Sequence, residues 1–437
     1  MVSNDTIFAL SSGGLPSGVA VVRISGPQCA GVVHLVAGDL PPARKASLRS
    51  IRDRNGLLLD QALVIFFPGP ASFTGEDAAE LHVHGGRATV RAVLDALGAI
   101  PGLRSADAGE FSRRAFHNGK LDLVEIEGLA DIVAAQTEMQ RRLALEHASG
   151  GLSKLYTAWA ERLTHARAMI EAELDFADED DIPGAIGDTV RSDLEDLAAS
   201  IHEHLRGSRT AEIIRDGLTV VITGSPNVGK SSLLNYLAKR EVAIVTDIPG
   251  TTRDIVSVDL DLDGFAVRLI DTAGIRDTAE LVEREGIRRA KAAVETADLV
   301  LHLVGPEEAI PPAEGAHART IRVFTKLDMA VPRGREEGEI AISTRTGAGI
   351  DTLLACLKSR LPDLTDASAF AIPSRDRHNE TLKAAVEAVE RALLIRGDLE
   401  LQAEWLRVAA TEIGRITGRV DVENLLNVIF SEFCIGK

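Results

Sequence analysis

Cysteine is scarce in this chain of 437 residues, with only Cys29, Cys356 and Cys434 present. Three scattered thiols cannot form a disulfide framework or a four-ligand zinc site, and their scarcity fits a reducing compartment. Long apolar runs are missing too. No stretch approaches the roughly 20 apolar residues that cross a bilayer, and Met1-Val2-Ser3-Asn4-Asp5 has neither the basic start nor the apolar run of a signal peptide. The expectation is a cytoplasmic protein with no membrane partner. Positive charge is also short, with 48 Lys and Arg against 65 Asp and Glu and a net of -17. That balance argues against a broad nucleic-acid surface, because phosphate binding needs a local excess of cations. A nucleic-acid partner would have to meet a small basic patch. Arg113-Arg114 with Lys120, and Arg141-Arg142, are the candidates, against the plainer reading of solvated surface pairs.

What is present divides the chain by pattern. The first 119 residues mix Gly and Pro with short apolar runs, Val19 to Ile24 and Ala62 to Phe67, which predicts a small α+β domain. A helical pattern follows over 120–213. Leu152, Leu155, Trp159, Leu163, Ala166, Ile170 and Leu174 are spaced 3, 4, 4, 3, 4 and 4 apart, which puts all seven on one helix face. The acidic run Asp178-Glu179-Asp180-Asp181 before Pro183 reads as a solvated turn. Over 214–372, buried-type strands (Leu218 to Thr223, Val267 to Ile270, Leu299 to Val304, Ile321 to Phe324, Ile340 to Ile342) alternate with helix-length segments, the pattern of a doubly wound α/β sheet. Ile255 to Leu262 departs from alternation. Its link Asp263-Gly264 is a hairpin turn, so that strand should run antiparallel at an edge. From 373 to 437 the helical pattern returns, with Leu382, Val386, Val389 and Leu393 on one face. The α/β domain therefore reads as an insertion in one α-helical domain, in a chain of mixed α/β and α+β class.

Strand Leu218 to Thr223 runs into Gly224-Ser225-Pro226-Asn227-Val228-Gly229-Lys230-Ser231, and an apolar helix pattern follows. This is the spacing and setting of a phosphate-binding loop. Glycines let N–H groups turn around phosphates, Lys230 neutralises their oxygens, and the Ser231 hydroxyl can ligate magnesium, with Ser232 next to it in the pocket. Asp271-Thr272-Ala273-Gly274 ends a strand where an Asp reaches the magnesium shell and a Gly N–H senses a γ-phosphate. Thr325-Lys326-Leu327-Asp328 places Asp328 to accept two hydrogen bonds from guanine while Lys326 packs along the base. Ser343-Thr344-Arg345 would complete the base pocket. In this order and spacing the segments select GTP. The segment Ile244 to Asp254 is the natural switch, with Thr252 available to magnesium when the γ-phosphate is present.

Two departures from the common pattern are informative. Thr325 stands where Asn is usual, and Ser343-Thr344-Arg345 is a loose version of SAK; either could weaken base contacts. Ile275 follows DTAG where Ras-like enzymes place the water-orienting Gln, so water alignment must come from elsewhere and a cation must replace an arginine finger.

With Asn227 in the loop, Gly250-Thr251-Thr252-Arg253-Asp254, DTAG and the ending Phe433-Cys434-Ile435-Gly436-Lys437, the chain resembles the bacterial tRNA modification GTPase MnmE (TrmE) family. Ser72-Phe73-Thr74-Gly75-Glu76-Asp77, Gly109-Glu110-Phe111-Ser112 and Lys120-Leu121-Asp122 extend the resemblance to the N-terminal part. It implies a folate-binding, dimerising N-terminal domain, a discontinuous helical domain and an inserted G domain. It further implies a homodimer that joins an FAD-dependent partner, MnmG (GidA), in a heterotetramer-type complex. Together they would modify carbon five of the wobble uridine of certain tRNAs with an aminomethyl-type group. The carbon would come from 5,10-methylene-tetrahydrofolate, of which 5-formyl-tetrahydrofolate is an analogue. By the same resemblance, potassium supplies the missing charge, held by Asn227 and backbone oxygens of Thr246, Ile248 and Thr251. Asp247, Pro249 and Gly250 fall in the same nucleotide-contacting loop, and Glu283 matches the acid that orients the water through a second water. The folate positions are Arg23, Glu80, Lys120 and Lys437, of which Arg23 breaks an apolar strand. A related ribosome-assembly GTPase, an RNA-binding timer, is the alternative, and would share the loop and DTAG but not the N-terminal motifs or the FCIGK ending.

Cys434, flanked by Phe433 and Ile435, is either a packing residue or a nucleophile towards the pyrimidine ring activated by Lys437. His82 and His84, two apart, share a strand face and read as packed or solvated side chains; with no third ligand evident, metal binding is not expected.

Overall fold

The computed structural model describes residues 5–175, 185–240, 242–244, 257–271, 293–307, 319–330, 339–362 and 370–420, with 426, 429 and 436. In chain order it begins with β1 (Thr6–Leu10), β2 (Ser17–Ser25), α1 (Cys29–Ala37), β3 (Ser47–Arg52), β4 (Leu58–Phe67), β5 (Ala78–Gly85), α2 (Arg87–Gly98), β6 (Leu103–Ser105) and α3 (Glu110–His117). Helices α4 (Leu123–Ala134), α5 (Glu138–Ala148), α6 (Gly151–Asp175), α7 (Ala185–Arg206) and α8 (Ser208–Asp216) follow. Then come β7 (Leu218–Gly224), α9 (Lys230–Leu237), β8 (Ser257–Leu262), β9 (Phe265–Asp271), β10 (Leu299–Val304), β11 (Thr320–Phe324), β12 (Ile340–Ala341) and α10 (Ile350–Lys358). Two helices, α11 (Asp376–Leu394) and α12 (Leu399–Thr417), close the series.

The chain forms two compact units. The first takes residues 1–130, 147–195 and 384–437, and the second residues 131–146 and 196–383. Each holds one six-stranded sheet.

The first sheet has the order β3-β4-β5-β2-β1-β6. Alternation decides its faces: Ala20, Val22 and Ile24 of β2, Ala62 and Val64 of β4, and Leu81 and Val83 of β5 are buried with Cys29, Val32 and Val33 of α1 and Val90 and Val93 of α2. The opposite face of the same strands carries Arg23, Leu63, Glu80 and His82. In the helical part of this unit the seven-residue stripe lies on α6. Leu152, Trp159, Leu163, Ala166 and Ile170 are buried, and α12 packs along this helix. Tyr156, outside the stripe, is also fully buried, so the covered face is wider than the spacing suggests. The helix α4 is started by reciprocal capping, with Asp122 N–H donating to Glu125 and Glu125 N–H to Asp122 at 2.8 and 3.0 Å.

The second sheet runs β12-β11-β10-β7-β9-β8, all parallel except β8, which pairs antiparallel with β9 at the edge. The turn Asp263-Gly264 closes that hairpin as the sequence predicts, with both residues at positive φ. Leucines and valines of β7, β9 and β10 bury against Leu233, Leu234 and Leu237 of α9 and Leu353 and Leu357 of α10. Helix α5 belongs to this unit at its start: Met139 N–H donates to the Gly264 carbonyl (3.0 Å), and Leu143 packs with Ile214 and Phe265. Among the described residues no helix is long and apolar enough to cross a membrane.

Candidate functional site

Strand β7 delivers the phosphate loop. At its end Gly224 has φ +136°, and a Cβ there would lie 2.5 Å from the Leu303 carbonyl oxygen of the neighbouring strand, so only glycine fits. Asn227 (φ +62°) and Gly229 (φ +114°) continue the turn and aim the loop N–H groups inward before α9 begins at Lys230. Val228 is buried beneath the loop, while Asn227 and Ser232 are exposed. Lys230 is itself buried, and its Nζ donates to the carbonyls of Gly224 (2.9 Å) and Ser225 (2.8 Å), which holds the ammonium over the loop.

Parallel pairing of β7 with β9 sets Ile222 beside Asp271, and the Ser231 hydroxyl donates to Asp271 Oδ2 at 2.8 Å. A hydroxyl and a carboxylate meeting beside a lysine form a hard-oxygen set of the kind magnesium takes, which fits the ion the sequence implies. Among the described residues no cluster of three or more His, Cys, Asp and Glu could hold a metal.

The base-side segments meet as well. Asp328 accepts from Ser343 Oγ at 2.7 Å, and Arg345 Nη1 lies 3.9 Å from its other oxygen. The hydrogen bond from Ser343 holds the Asp328 carboxyl below its ordinary pKa, so it stays an acceptor. Lys326 has φ +57°, and Leu327 N–H is tied to the Ile342 carbonyl at 3.1 Å. Thr344 follows buried Ser343 at the loop surface. The structure also shows what Thr325 does. Its Oγ1 donates to the Val228 carbonyl at 2.7 Å, joining the base-side loop to the phosphate loop.

The N-terminal motifs converge on a second cluster, in the first unit. Register places Arg23 of β2 opposite Glu80 of β5, and Arg23 donates through Nε and Nη2 to Glu80 Oε1 at 3.2 and 2.9 Å. His82 Nε2 reaches Glu80 Oε2 at 3.1 Å. The guanidinium of Arg23 lies over the rings of Phe73 (5.6 Å) and Phe111 (5.7 Å), a pair of cation–π contacts. The Ser72–Asp77 loop is pinned around it, with Ser25 Oγ 2.7 Å from Thr74 Oγ1 and donating to Glu76, Arg114 paired to Glu76, and Asn118 donating to the Thr74 carbonyl. Lys120 runs its stem beside Gly75. Gly436 packs against the end of β1, where its carbonyl accepts from Ser11 Oγ at 2.8 Å, so Gly436 adjoins the sheet that carries Arg23.

Sequence reasoning missed Phe73, Phe111 and the carboxylate partners of the histidines. His84 is held by Asp60 at 2.8 Å as His82 is by Glu80. The phenylalanines stood inside quoted motifs, but only the packing of the 72–77 loop and of α3 shows that they face Arg23. Three arginines of the two small basic patches are paired with carboxylates. Arg114 is buried among Asp5, Glu76 and Glu110, and Arg141 and Arg142 both pair with Glu138. Thr246, Asp247, Ile248, Pro249, Gly250, Thr251, Thr252, Thr272, Ala273, Gly274, Glu283, Cys434 and Lys437 lie outside the described residues.

Two family descriptions match the chain, "MnmE helical domain" over residues 123–434 and "GTP-binding protein TrmE N-terminus" over residues 6–120. The tRNA modification GTPase MnmE of Sinorhizobium medicae is 60% identical over 441 residues, covering 100% of both chains. That of Rhizobium meliloti is 59% identical with the same full coverage, and that of Rhizobium etli is 55% identical over 99% of each chain. With both halves of its architecture matched, the chain belongs to the tRNA modification GTPase MnmE family.

Proposed function

We propose that the protein is a potassium-activated GTPase which, with an FAD-dependent partner of the MnmG (GidA) type, modifies carbon five of the wobble uridine of certain tRNAs. The observation that carries this reading is the joint presence, in one chain related end to end to tRNA modification GTPases, of the Lys230–Ser231–Asp271 loop and the Arg23–Glu80 cluster.

In the second unit, Lys230 and the loop amides bind the β- and γ-phosphates, and Asp328, kept ionised by Ser343, accepts from the guanine edge. Thr325, Lys326, Thr344 and Arg345 frame the base. Ser231, Asp271 and Thr252 would hold magnesium, which supplies positive charge against the phosphate oxygens. Asn227, with carbonyls of Thr246, Ile248 and Thr251, would hold potassium, which supplies the charge an arginine finger gives elsewhere. Glu283 orients the attacking water.

In the first unit, Glu80 accepts from the pterin ring and Arg23 positions it. Lys120 and Lys437 meet the anionic tail of 5,10-methylene-tetrahydrofolate. Phe73, which is exposed, offers a flat apolar face beside the guanidinium that suits a heteroaromatic ring, while fully buried Phe111 backs the same guanidinium. Cys434, at the same end of the chain as Gly436, would attack the pyrimidine. The N-terminal region would also dimerise, a reading supported by apolar residues exposed on the sheet, Val19 at 56% and Leu63 at 46%. Acting on tRNA, the protein would work in the cytoplasm.

The test has two arms. GTP turnover in potassium should exceed turnover in sodium at equal ionic strength, with the difference abolished by Asn227→Ala. The purified protein should also bind 5-formyl-tetrahydrofolate saturably. Indifference to the cation sinks the first part, and absence of folate binding the second.

A further inference from the structure

The acidic chain carries one strongly basic stretch outside both the phosphate loop and the Arg23 cluster. Residues 44–54 hold Arg44, Lys45, Arg49, Arg52 and Arg54 with a single carboxylate, Asp53. They lie on and around β3, the outermost strand of its sheet. Arg44, Lys45, Arg52 and Arg54 are exposed and Arg49 is half-buried.

Their charges are uncompensated. Among the described residues none of the five comes within ion-pair distance of a carboxylate, whereas Arg104, Arg114, Arg141 and Arg142 are all paired. The guanidinium hydrogen bonds go to neutral carbonyls: Arg44 to Ala71, Arg49 to Asp39 and Leu48 (3.3 and 3.2 Å), and Arg52 to Gly56 (2.9 Å). Such bonds orient a side chain without cancelling its charge. The lone acid is turned inward, with Asp53 Oδ1 accepting the N–H groups of Asn55 (2.9 Å) and Leu57 (2.8 Å).

We propose that this basic edge strand, 44–54, is where the protein seats the phosphate backbone of its RNA substrate. The proposal rests on the tRNA reading above. Arg49 and Arg52 are three residues apart on one strand, so they project to opposite faces about 10 Å apart and straddle the sheet edge. A polyanion lying along the edge meets both, whereas a flat protein surface on either face meets one. No aromatic residue occurs between 44 and 63, so the strip grips backbone and reads no bases by stacking. Arg23 lies three strands inward in the same sheet, about 14 Å away at usual strand spacing, within reach of a nucleotide whose backbone rests on β3.

The experiment uses the full chain and an unmodified tRNA transcript, with binding measured by fluorescence anisotropy over a potassium chloride series. Arg49→Glu with Arg52→Glu should weaken binding about tenfold near 0.1 M salt and flatten the log–log salt dependence by about 1.5 to 2. GTP turnover, 5-formyl-tetrahydrofolate affinity and light-scattering mass should be unchanged. Arg49→Lys with Arg52→Lys should stay within about twofold, since phosphate contact needs charge rather than a fork. Unaltered affinity and slope in the glutamate variant overturn the proposal, leaving the charges as guards of an open strand edge. So does a fall in mass to that of a single chain, which would make the strip an interface between copies. Normal wobble uridines in cells lacking the protein would instead overturn the functional reading itself, a result separate from either.

Discussion

The phosphate loop of the second unit and the Arg23 cluster of the first are built in opposite ways. In the loop, consecutive residues carry the chemistry, and the positive φ angles of Gly224, Asn227 and Gly229 fold eight neighbours into one concave cradle. In the cluster, register brings Arg23 of β2 beside Glu80 and His82 of β5, and tertiary packing brings Phe73 from a loop and Phe111 from α3 to the same guanidinium. A site made by backbone conformation is written locally and tolerates little change in glycine. A site made by register depends on a sheet whose pairing is fixed by burial of the other face.

The two regions separate most sharply when one is disabled and both are measured. Lys230→Ala should lower GTP turnover about 10³-fold, as expected when a pre-set cation on the transferring phosphate is lost, and leave folate affinity alone. Turnover within a few fold of the parent would remove Lys230 from the mechanism. Conversely, Glu80→Ala leaves Arg23 without its carboxylate, and 5-formyl-tetrahydrofolate binding, followed by calorimetry, should weaken about 10²-fold with unchanged GTP turnover. If turnover fell as well, the two sites would not be separable.

A smaller effect is expected where the loop is tied to the base side. Thr325→Val keeps shape but deletes the hydrogen bond to Val228, at a stability cost of about 1 to 2 kcal/mol by urea melt. Guanine should still be preferred over adenine, because Asp328 is untouched. A switch in preference would show that Thr325 reads the base.

The two units should also differ in their response to acid. Burial, with His378 nearby, pushes His204 of the second unit down to about 4. A histidine depressed in the folded state binds its proton more readily when unfolded, so stability falls as pH drops from about 6.5 towards 4, by about 2 kcal/mol at pH 5. In the first unit, burial raises the Glu110 pKa, but hydrogen bonds from Arg104 and the Asp107 amide outweigh it and hold the carboxyl low. Its contribution is present above the ordinary glutamate range and is lost only as pH falls through that lowered value. Melts from pH 7 to 5 should therefore show the second unit weakening first, and His204→Gln should flatten its slope. Simultaneous loss would contradict the assignment.

How much could be read beforehand follows the same division. The strand–loop–helix of β7 and α9, the antiparallel β8 and the α6 stripe were legible because each is a local pattern of apolar period or turn residue. The role of Thr325 was not, since its partner Val228 is 97 residues away. Nor was the burial of Arg114, which sequence offers as surface charge until Asp5, Glu76 and Glu110 fold around it. Arg23 stood out because it breaks an apolar strand, yet its aromatic bed becomes visible only once the 72–77 loop and α3 pack around it. The basic edge at 44–54 is not among the patches singled out from the sequence. That the charge is unpaired is a fact of the fold.

The central claim is that both regions serve one modification, and mass spectrometry of wobble uridines tests it most directly. In cells lacking the protein, carrying either the parent, Lys230→Ala or Glu80→Ala, the account predicts the aminomethyl-type modification with the parent alone. Full modification in cells without the protein would contradict it.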